Sequence, residues 1–389
     1  YQMVDFSYEN GTITVKNGFM FTDIDKYELT LTFLTDGEET LTKKIVLGSV
    51  PAGEQCKIEI DAPETNGEQT VLCELRAPND DRVVAYEQFI VKEGTLDLTE
   101  PIGTMSCDEA NYWEYRIYND NVQYIVDKVT GGITSIKKGN VEILRSPVMP
   151  NFVRATIDND RYEQVDIPIV KKIMGVYKFH NAQKKIAPKK NVRMENKDGV
   201  VSVIMDWKFK YGKVSTKYTF FNDGIDMELM VKPRCELVRY GFTFGMREAV
   251  KNMAFYANGP FENYCDRNSA AILRKYEGVA EDFNHEYLSP QENGNHTGAR
   301  YLSLGDEING LVVLAKDKPF EFGVLPYSME KLEKADHEHE LVKDDHYTVT
   351  IDGKQRGVGG DTPAMACLKT PYKINPGTVH RLACRIIVK

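Results

Sequence analysis

The chain has 389 residues, of which 42% are hydrophobic and 10% aromatic, and this length allows two or three globular cores at roughly 150 residues each. Its 49 basic and 58 acidic side chains give a net charge of −9. Such an acidic chain is a poor partner for nucleic acid or an anionic membrane, because binding phosphates needs a basic face. No apolar run approaches the roughly 20 residues of a membrane span. We therefore expect neither nucleic acid nor membrane among its partners.

The first hundred residues predict a small β-sandwich. Residues 12–16 and 28–33 alternate apolar and polar side chains, which is typical of half-buried antiparallel strands. Asp36 and Gly37 lie between two such runs and favour a hairpin turn, because both tolerate positive φ angles. About seven short strands separated by Gly, Pro and Asn indicate an immunoglobulin-like fold. We place this domain at residues 1–100.

Residues 101–389 predict a second all-β domain. The only convincing helix covers residues 328–334, where Ser328 is a suitable N-cap. An α/β barrel or a doubly wound sheet needs helices between its strands, so we expect one large sandwich of many antiparallel strands. The predicted strands include residues 115–126, 132–137, 200–210, 213–221, 226–232, 239–246, 310–315, 349–351 and 379–388.

The cysteines predict free thiols. They are odd in number, scattered, and never form a Cys-x-x-Cys pair, which fits neither a disulfide framework nor a zinc site. This use of cysteine mildly favours a reducing compartment, and so the cytoplasm, although the localisation cannot be read from a chain that starts in mid-pattern at Tyr1. The seven are Cys56, Cys73, Cys107, Cys235, Cys265, Cys367 and Cys384.

Two further residue types invite a functional interpretation. Trp113 and Trp207 lie in strand-like runs, and we expect both in the core, not as platforms for a sugar. His337 and His339, with His346 further on, suggest a metal, since His-x-His on a strand places both rings on one face. They follow the predicted helix, however, where a helix C-terminus favours such side chains. We therefore predict no metal site.

Five segments rich in Gly and Asp are more specific than ordinary turns: residues 152–160, 259–267, 289–294, 335–341 and 351–361. Together with residues 12–17 and the aromatic residues that follow them, they resemble, in the same order, the C-terminal region of the large bacterial β-galactosidases of glycoside hydrolase family 2, of the lacZ type. The resemblance covers the whole chain. It implies a second immunoglobulin-like domain followed by the family's terminal sandwich, which is related in fold to galactose mutarotase.

The resemblance also implies where the chemistry lies. A retaining glycosidase needs two carboxylates about 5–5.5 Å apart, one as acid/base and one as nucleophile. In this family both glutamates, and the ligands of the active-site magnesium, belong to a (β/α)8 barrel that precedes the residues present here. We therefore predict no catalytic residue and no cofactor in this chain, and no hydrolysis by the chain alone. The implied partners are the galactoside substrate, the barrel of the same polypeptide, and further copies in a homo-oligomer.

Some residues are candidates for the rim of that active site. The segment Asp158-Asn159-Asp160 corresponds to a motif that lies beside the active site in the family. We expect these residues on a turn, where their side chains either bond sugar hydroxyls or cap their own backbone. Gly360 and Asp361 belong to a Gly-Gly-Asp loop that reaches over the barrel mouth. Ala364 stands where the family has a Trp that stacks on the leaving-group sugar, so the preferred aglycone and linkage are not readable.

A second polar group follows a Gly-Pro turn and consists of Glu262, Asn263, Asp266 and Arg267. It is either a carbohydrate contact or a buried arginine–carboxylate network that fixes a strand crossing, and we favour the network.

Two alternative functions remain for the chain as a whole. The first is a stand-alone galactoside-binding module. The second is an aldose epimerase, for which His180, His285 and Glu262 are the candidate acid and base groups. The epimerase rests on likeness of fold alone, and fold does not fix function.

Overall fold

The computed structural model of the protein describes residues 2–78, 82–95, 98–163, 186–189, 192–247, 252–306, 308, 310–359 and 368–389. By internal contacts the chain divides into two compact units, Tyr1–Thr95 with Ile272–Lys275, and Leu96–Ala271 with Tyr276–Lys389. No helix in the described ranges is long and apolar enough to cross a membrane.

The first unit is a sandwich of two antiparallel sheets, one of three strands (β1-β2-β5) and one of four (β4-β3-β6-β7). Alternate residues of both sheets, such as Ile13, Val15, Leu31 and Phe33, are buried in one core. Asp36 has a φ of 47°, as the predicted hairpin turn requires. The expected immunoglobulin-like sandwich is confirmed. Its strands are β1 Val4–Glu9, β2 Thr12–Asn17, β3 Glu28–Thr35, β4 Glu38–Val46, β5 Gln55–Glu59, β6 Gln69–Arg76 and β7 Val83–Lys92.

The second unit is the predicted large sandwich, and the strands in its described residues form two ten-stranded antiparallel sheets. One sheet contains β8 Ser106–Asn111, β9 Glu114–Tyr118, β10 Val122–Asp127, β11 Ile133–Lys138, β12 Val141–Glu142, β13 Leu144–Asn151, β19 Arg239–Met246, β22 His296–Ala299, β25 Phe320–Leu325 and β26 Tyr347–Gln355. The other contains β14 Ala187–Pro188, β15 Arg193–Lys197, β16 Val200–Lys208, β17 Gly212–Phe221, β18 Gly224–Pro233, β20 Met253–Gly259, β21 Ile272–Gly278 (whose first four residues are counted in the first unit), β23 Tyr301–Leu304, β24 Leu311–Ala315 and β27 His380–Val388.

Side chains from both large sheets meet in a single core. On β16, Val201, Val203, Met205 and Trp207 are buried at every second position, as a strand with one buried face requires. Within the second sheet, β27 lies between β18 and β24. The last strand of the chain is therefore a central strand.

One of these sheets carries polar residues on the face away from the core. Strands β25, β26 and β19 are neighbours, and Glu321, Asp352 and Gly241 lie opposite one another in one row across them. Because side chains alternate along a strand, Phe322 and Ile351 in the next row point into the core. The polar outer face of this sheet positions the candidate site.

Two short α-helices lie in the described part of the second unit. Helix α2, Met329–Lys334, begins after Ser328 as predicted. Helix α1, Asp158–Glu163, was not predicted, since Asp158 to Asp160 were expected on a turn. Six residues are too few for a hydrophobic period, but acidic residues in the first turn favour a helix because they face its positive end.

The predicted strand over residues 115–126 is two strands. Between β9 and β10 the chain turns at residues 119–121, where the Oδ1 of Asn119 accepts hydrogen bonds from the backbone of Asn121 and Val122 at 2.8 and 2.9 Å. This capping of the backbone by an Asn side chain stops the strand despite its alternating pattern.

The prediction for the two tryptophans is half wrong. Trp207 is buried, and its Nε1 donates to Thr216 Oγ1 at 3.0 Å. Trp113 is 58% exposed in the turn between β8 and β9, where Asn111 Oδ1 accepts a hydrogen bond from its backbone and its ring lies edge-on against Tyr112. A tight turn leaves its central side chains in solvent whatever their hydrophobicity.

The histidine pair does not lie on a strand. His337 and His339 are exposed at a 3-10 turn over Glu338–Glu340, with ring centroids 5.6 Å apart. Across the described ranges, no group of three or more His, Cys, Asp or Glu side chains is placed to hold a metal ion.

Candidate functional site

Three of the predicted motifs converge on residues 356–359, the segment that follows β26. Arg154 Nη1 donates to the carbonyl of Arg356 at 2.7 Å, and Arg154 Nη2 donates to that of Gly357 at 3.3 Å. Asn159 Nδ2 donates to the carbonyl of Val358 at 2.5 Å. We call Arg154, Asn159, Asp266 and the backbone that they hold the loop anchor. It fixes the segment that leads directly into Gly360 and Asp361.

Asp266 is the member of the loop anchor that binds two successive backbone N–H groups. Its carboxylate accepts from Val358 at 3.0 Å and from Gly359 at 2.8 Å. A Cβ on Gly357 would lie 2.4 Å from Asp266 Oδ2, so only glycine leaves room for the carboxylate. Two hydrogen bonds from backbone donors to a charged acceptor make this a strong local restraint.

Asp160 supports the anchor from inside the protein. Its carboxylate is fully buried and pairs with Arg154 Nε at 3.0 Å and with Arg356 Nη1 at 3.2 Å. Asp160 Oδ2 also accepts from the backbone N–H of Ile157 at 3.5 Å. These contacts favour the structural alternative for Asp160 over a contact with a sugar. Asp158 is exposed, and its backbone N–H donates to Gln291 Oε1 at 3.2 Å. Asn159 is half-buried.

A second buried ion-pair group lies beside the first. Arg239 on β19 contacts Glu292 (Nη2–Oε1, 2.5 Å) and Asp352 on β26 (Nε–Oδ2, 3.0 Å). Glu292 Oε1 also accepts from Gln355 Nε2 at 3.2 Å. All three charged side chains are nearly or fully buried, so each charge depends on its partners.

Burial perturbs two carboxyl groups on this sheet face. Desolvation raises the pKa of Asp352 well above its ordinary value, although Arg239 opposes the shift. Desolvation also raises the pKa of Glu321 to about 7, against hydrogen bonds from the backbone of Gln355 and the amide of Asn295. Glu321 therefore carries a proton for much of its time near neutral pH.

The predicted polar cluster is divided by the structure. Glu262 is buried and binds Arg267, the Tyr287 hydroxyl and, at 2.8 Å, the backbone N–H of Gly294. Asn263 is fully buried; its amide donates to the carbonyls of Asn258 and Phe261 at 2.9 and 3.0 Å, and it accepts from the Thr297 backbone. These contacts favour the network interpretation for both.

The two remaining residues of that cluster lie closer to solvent. The Arg267 side chain is 49% exposed, and Asp266 is half-buried in the loop anchor. Of the epimerase candidates, His285 is exposed, and its ring centroid lies 4.4 Å from that of Tyr287. The carboxylate of Glu262 is held by Arg267, Tyr287 and Gly294, as described above. His180, Gly360, Asp361 and Ala364 lie outside the described residues.

Sequence analysis did not identify the arginines that organise the site. Arg239 interrupts an apolar run, Leu237-Val238-Arg239-Tyr240, and is 2% exposed. A single charged residue inside a strong strand pattern is the signal that was available, because burying it requires acidic partners. Those partners, Glu292 and Asp352, are far away in sequence.

Family models match most of the chain. Residues 118–386 match the model described as "Beta galactosidase small chain", and residues 13–98 match "Beta-galactosidase, domain 4". A β-galactosidase of Halalkalibacterium halodurans is 27% identical over 391 residues, which cover 93% of this chain and 37% of that protein. One of Priestia megaterium is 28% identical over 382 residues, covering 94% of this chain and 36% of that protein.

The chain thus spans a little over a third of the length of these curated relatives. Among solved structures, a galactose mutarotase related enzyme from Lactobacillus acidophilus is 9% identical with a TM-score of 0.35, over 71% of this chain and 97% of that one.

Proposed function

Because this chain belongs to the β-galactosidase small chain family, we propose that it is the C-terminal portion of a β-galactosidase and that it shapes the rim of the active site without supplying the catalytic carboxylates. The proposed enzyme hydrolyses terminal β-D-galactosides with retention of configuration at the anomeric carbon. Its two glutamates and its magnesium ligands are proposed to lie on a barrel of the same polypeptide, outside these residues. The proposed domains are residues 1–100 and 101–389, and the full enzyme is proposed to be a homo-oligomer.

The carboxylates of this unit favour a supporting role. Asp160 faces two guanidinium groups, Glu292 and Asp352 share Arg239, and Glu262 is held by Arg267 and Tyr287. A nucleophile in a retaining glycosidase must face the anomeric carbon, and its partner must face the leaving oxygen. These buried, paired groups are suited to holding backbone in place instead.

The observation that carries the proposal is the pair of hydrogen bonds from Val358 and Gly359 to Asp266. They restrain the segment immediately before Gly360 and Asp361, the two residues that we propose for the rim on the basis of the family resemblance. A residue that positions a substrate-binding loop contributes to catalysis by limiting the conformations of that loop before substrate arrives. Ala364, in place of the family's Trp, would leave the leaving-group sugar without an aromatic surface.

The test is hydrolysis of a chromogenic β-galactoside by the chain alone, by the separately expressed upstream part of its polypeptide, and by the mixture. We expect neither part to be active alone and the mixture to be active. Turnover by the chain alone would contradict the proposal, and so would full activity of the upstream part without this chain.

A further inference from the structure

A cavity of about 210 Å³ lies over the polar outer face of the sheet and under helix α2. This volume has room for several waters, since a cavity needs only about 10–15 Å³ by this measure to hold one. It therefore suits one small molecule the size of a monosaccharide. We call it the threonine cavity, because Thr243, Thr348 and Thr350 line it together with Ser146 and Asn151.

The threonine cavity adjoins the row of buried carboxyls. A second row on the same outer face lies two residues along each strand from the row of Glu321, Asp352 and Gly241. It consists of Gly323 on β25, Thr350 on β26 and Thr243 on β19. Gly323 has no side chain, and a Cβ there would lie 3.1 Å from Thr350 Oγ1. The glycine thus keeps the middle of the cavity open.

One wall of the cavity offers hydrogen-bonding groups. Thr243 Oγ1 donates to the carbonyl of Val349 at 3.2 Å, which leaves its lone pairs able to accept from a ligand hydroxyl. Asn151 Oδ1 accepts from the backbone of Val153 at 3.2 Å, which leaves its Nδ2 as a donor. The wall therefore supplies both acceptors and a donor, as a ligand with several hydroxyls requires.

Apolar side chains also line the cavity: Met329 and Leu332 belong to helix α2, and Leu325 lies on β25 beside Thr348. A sugar ring presents C–H groups on its faces and hydroxyls at its edge, so it matches a site lined by both apolar and polar groups. A purely apolar ligand would leave unused the remaining lone pairs of the threonines and the Nδ2 donor of Asn151, which costs free energy in a buried site.

The charged groups of the site disfavour an ionic ligand. Arg239, Glu292 and His346 also line the cavity; the guanidinium already contacts Glu292 and Asp352, and the His346 ring contacts Asp345. An anion would have to compete with two buried carboxyls, and a cation would approach the arginine. A neutral ligand meets neither cost.

We propose that the threonine cavity binds one neutral polyhydroxylated molecule of monosaccharide size. Thr243, Thr348 and Thr350 contact its hydroxyls, and Met329 and Leu332 cover its ring. This proposal does not rest on the proposed function, because binding here needs no part of the polypeptide beyond the 389 residues.

The test is titration of the 389-residue chain with D-galactose, D-glucose and D-galacturonate, in which binding is detected by ligand-observed NMR. Thr348→Val removes one hydroxyl at constant shape, and Gly323→Ala narrows the cavity. Thr134→Val on β11 is the matched control, because Thr134 does not line the cavity. Thermal unfolding of each variant establishes that it is folded.

We expect saturable binding of at least one neutral sugar and none of galacturonate. Thr348→Val should weaken binding about three- to tenfold, which corresponds to one hydrogen bond, and Gly323→Ala should weaken it at least as much, while Thr134→Val leaves it unchanged. The proposal is overturned by absence of saturable sugar binding, by equal affinity of the folded cavity variants and the control, or by equal binding of galacturonate. If mixing the chain with the upstream part of its polypeptide gave no hydrolysis, which would contradict the proposed function, the result of this binding experiment would be unaffected.

Discussion

Glu321 and Asp352 lie directly opposite each other on neighbouring strands, and both carboxyl groups are buried. Burial deprives both groups of water, so desolvation favours their protonated forms, and the charge of Glu321 adds to this effect at Asp352. The sheet thus contains an acid pair whose charge state changes within the ordinary range of experimental pH.

Replacing Glu321 with Gln should alter the pH dependence of stability. The pKa of Glu321 is raised from 4.5 to about 7 in the folded protein, so the folded state binds more protons than the unfolded state between these values. The free energy of unfolding should therefore fall as pH rises from about 4.5 to 7, by roughly 3 kcal/mol. Glu321→Gln cannot ionise and should remove this contribution, while Asp352, whose pKa is also raised, retains its own.

The measurement for this prediction is urea unfolding at several pH values, with tryptophan fluorescence as the signal for unfolding. Both tryptophans of the chain, Trp113 and Trp207, belong to the second unit, so the signal reports that unit. Glu195→Gln, an exposed position on β15, is the control and should retain the wild-type slope. An unchanged slope in Glu321→Gln would show that this group does not titrate as argued.

Removing the Asp160 carboxylate should strongly destabilise the second unit. Asp160→Ala leaves Arg154 buried without its carboxylate partner, while Arg356 keeps its contact with Glu236, and breaking a buried pair in this way costs about 3–5 kcal/mol. Asp158→Ala, two residues away and exposed, should cost less than about 0.5 kcal/mol. Equal unfolding free energies for the two variants would contradict the burial of Asp160.

Gly241 should not tolerate a side chain. A Cβ there would lie 2.3 Å from both Asp352 Oδ1 and the carbonyl of Ile351, so Gly241→Ala should cost about 2–3 kcal/mol by overpacking. Gly323→Ala, on the same sheet face with its nearest atom at 3.1 Å, should cost less than about 1 kcal/mol. Denaturant midpoints of the two variants decide the comparison, and the reverse order would rule out the described packing.

Asp266→Asn should change kcat/KM for the mixture of this chain with the upstream part of its polypeptide more than it changes the free energy of unfolding of the chain. Asn at this position retains one acceptor oxygen, so one of the two backbone N–H bonds is lost. We expect kcat/KM to fall about tenfold, within the range known for small misplacements of a binding loop, and the free energy of unfolding of the chain to change by less than about 1 kcal/mol. Asp120→Asn, at an exposed turn, should change neither quantity. Normal kcat/KM in Asp266→Asn would remove the loop anchor from the proposed function.

The fold was largely predictable because its signals are local. Alternation identifies strands, Asp36-Gly37 identifies a turn, and Ser328 identifies the start of a helix, each within a few residues. Trp113 was misplaced since hydrophobicity alone does not distinguish a strand from the turn that ends it. The six residues of α1 are too short for any periodic signal.

The site was predictable only in part. The motifs identified which segments matter, and the resemblance suggested that they meet. The pairing of Arg154 with the carbonyl of Arg356, 202 residues away, and that of Arg239 with Glu292, 53 residues away, are long-range contacts. No local pattern specifies such partners, although a lone arginine in an apolar strand indicates that partners exist.

The central position of β27 has a consequence for biosynthesis. Its neighbours β18 and β24 precede it by many residues, and each leaves one edge unpaired until β27 has been made. A nascent chain that stops short of His380 therefore exposes two strand edges in the middle of its largest hydrophobic unit, where other chains can add. Premature termination near the end of this gene region should thus yield aggregates in place of a shortened soluble product.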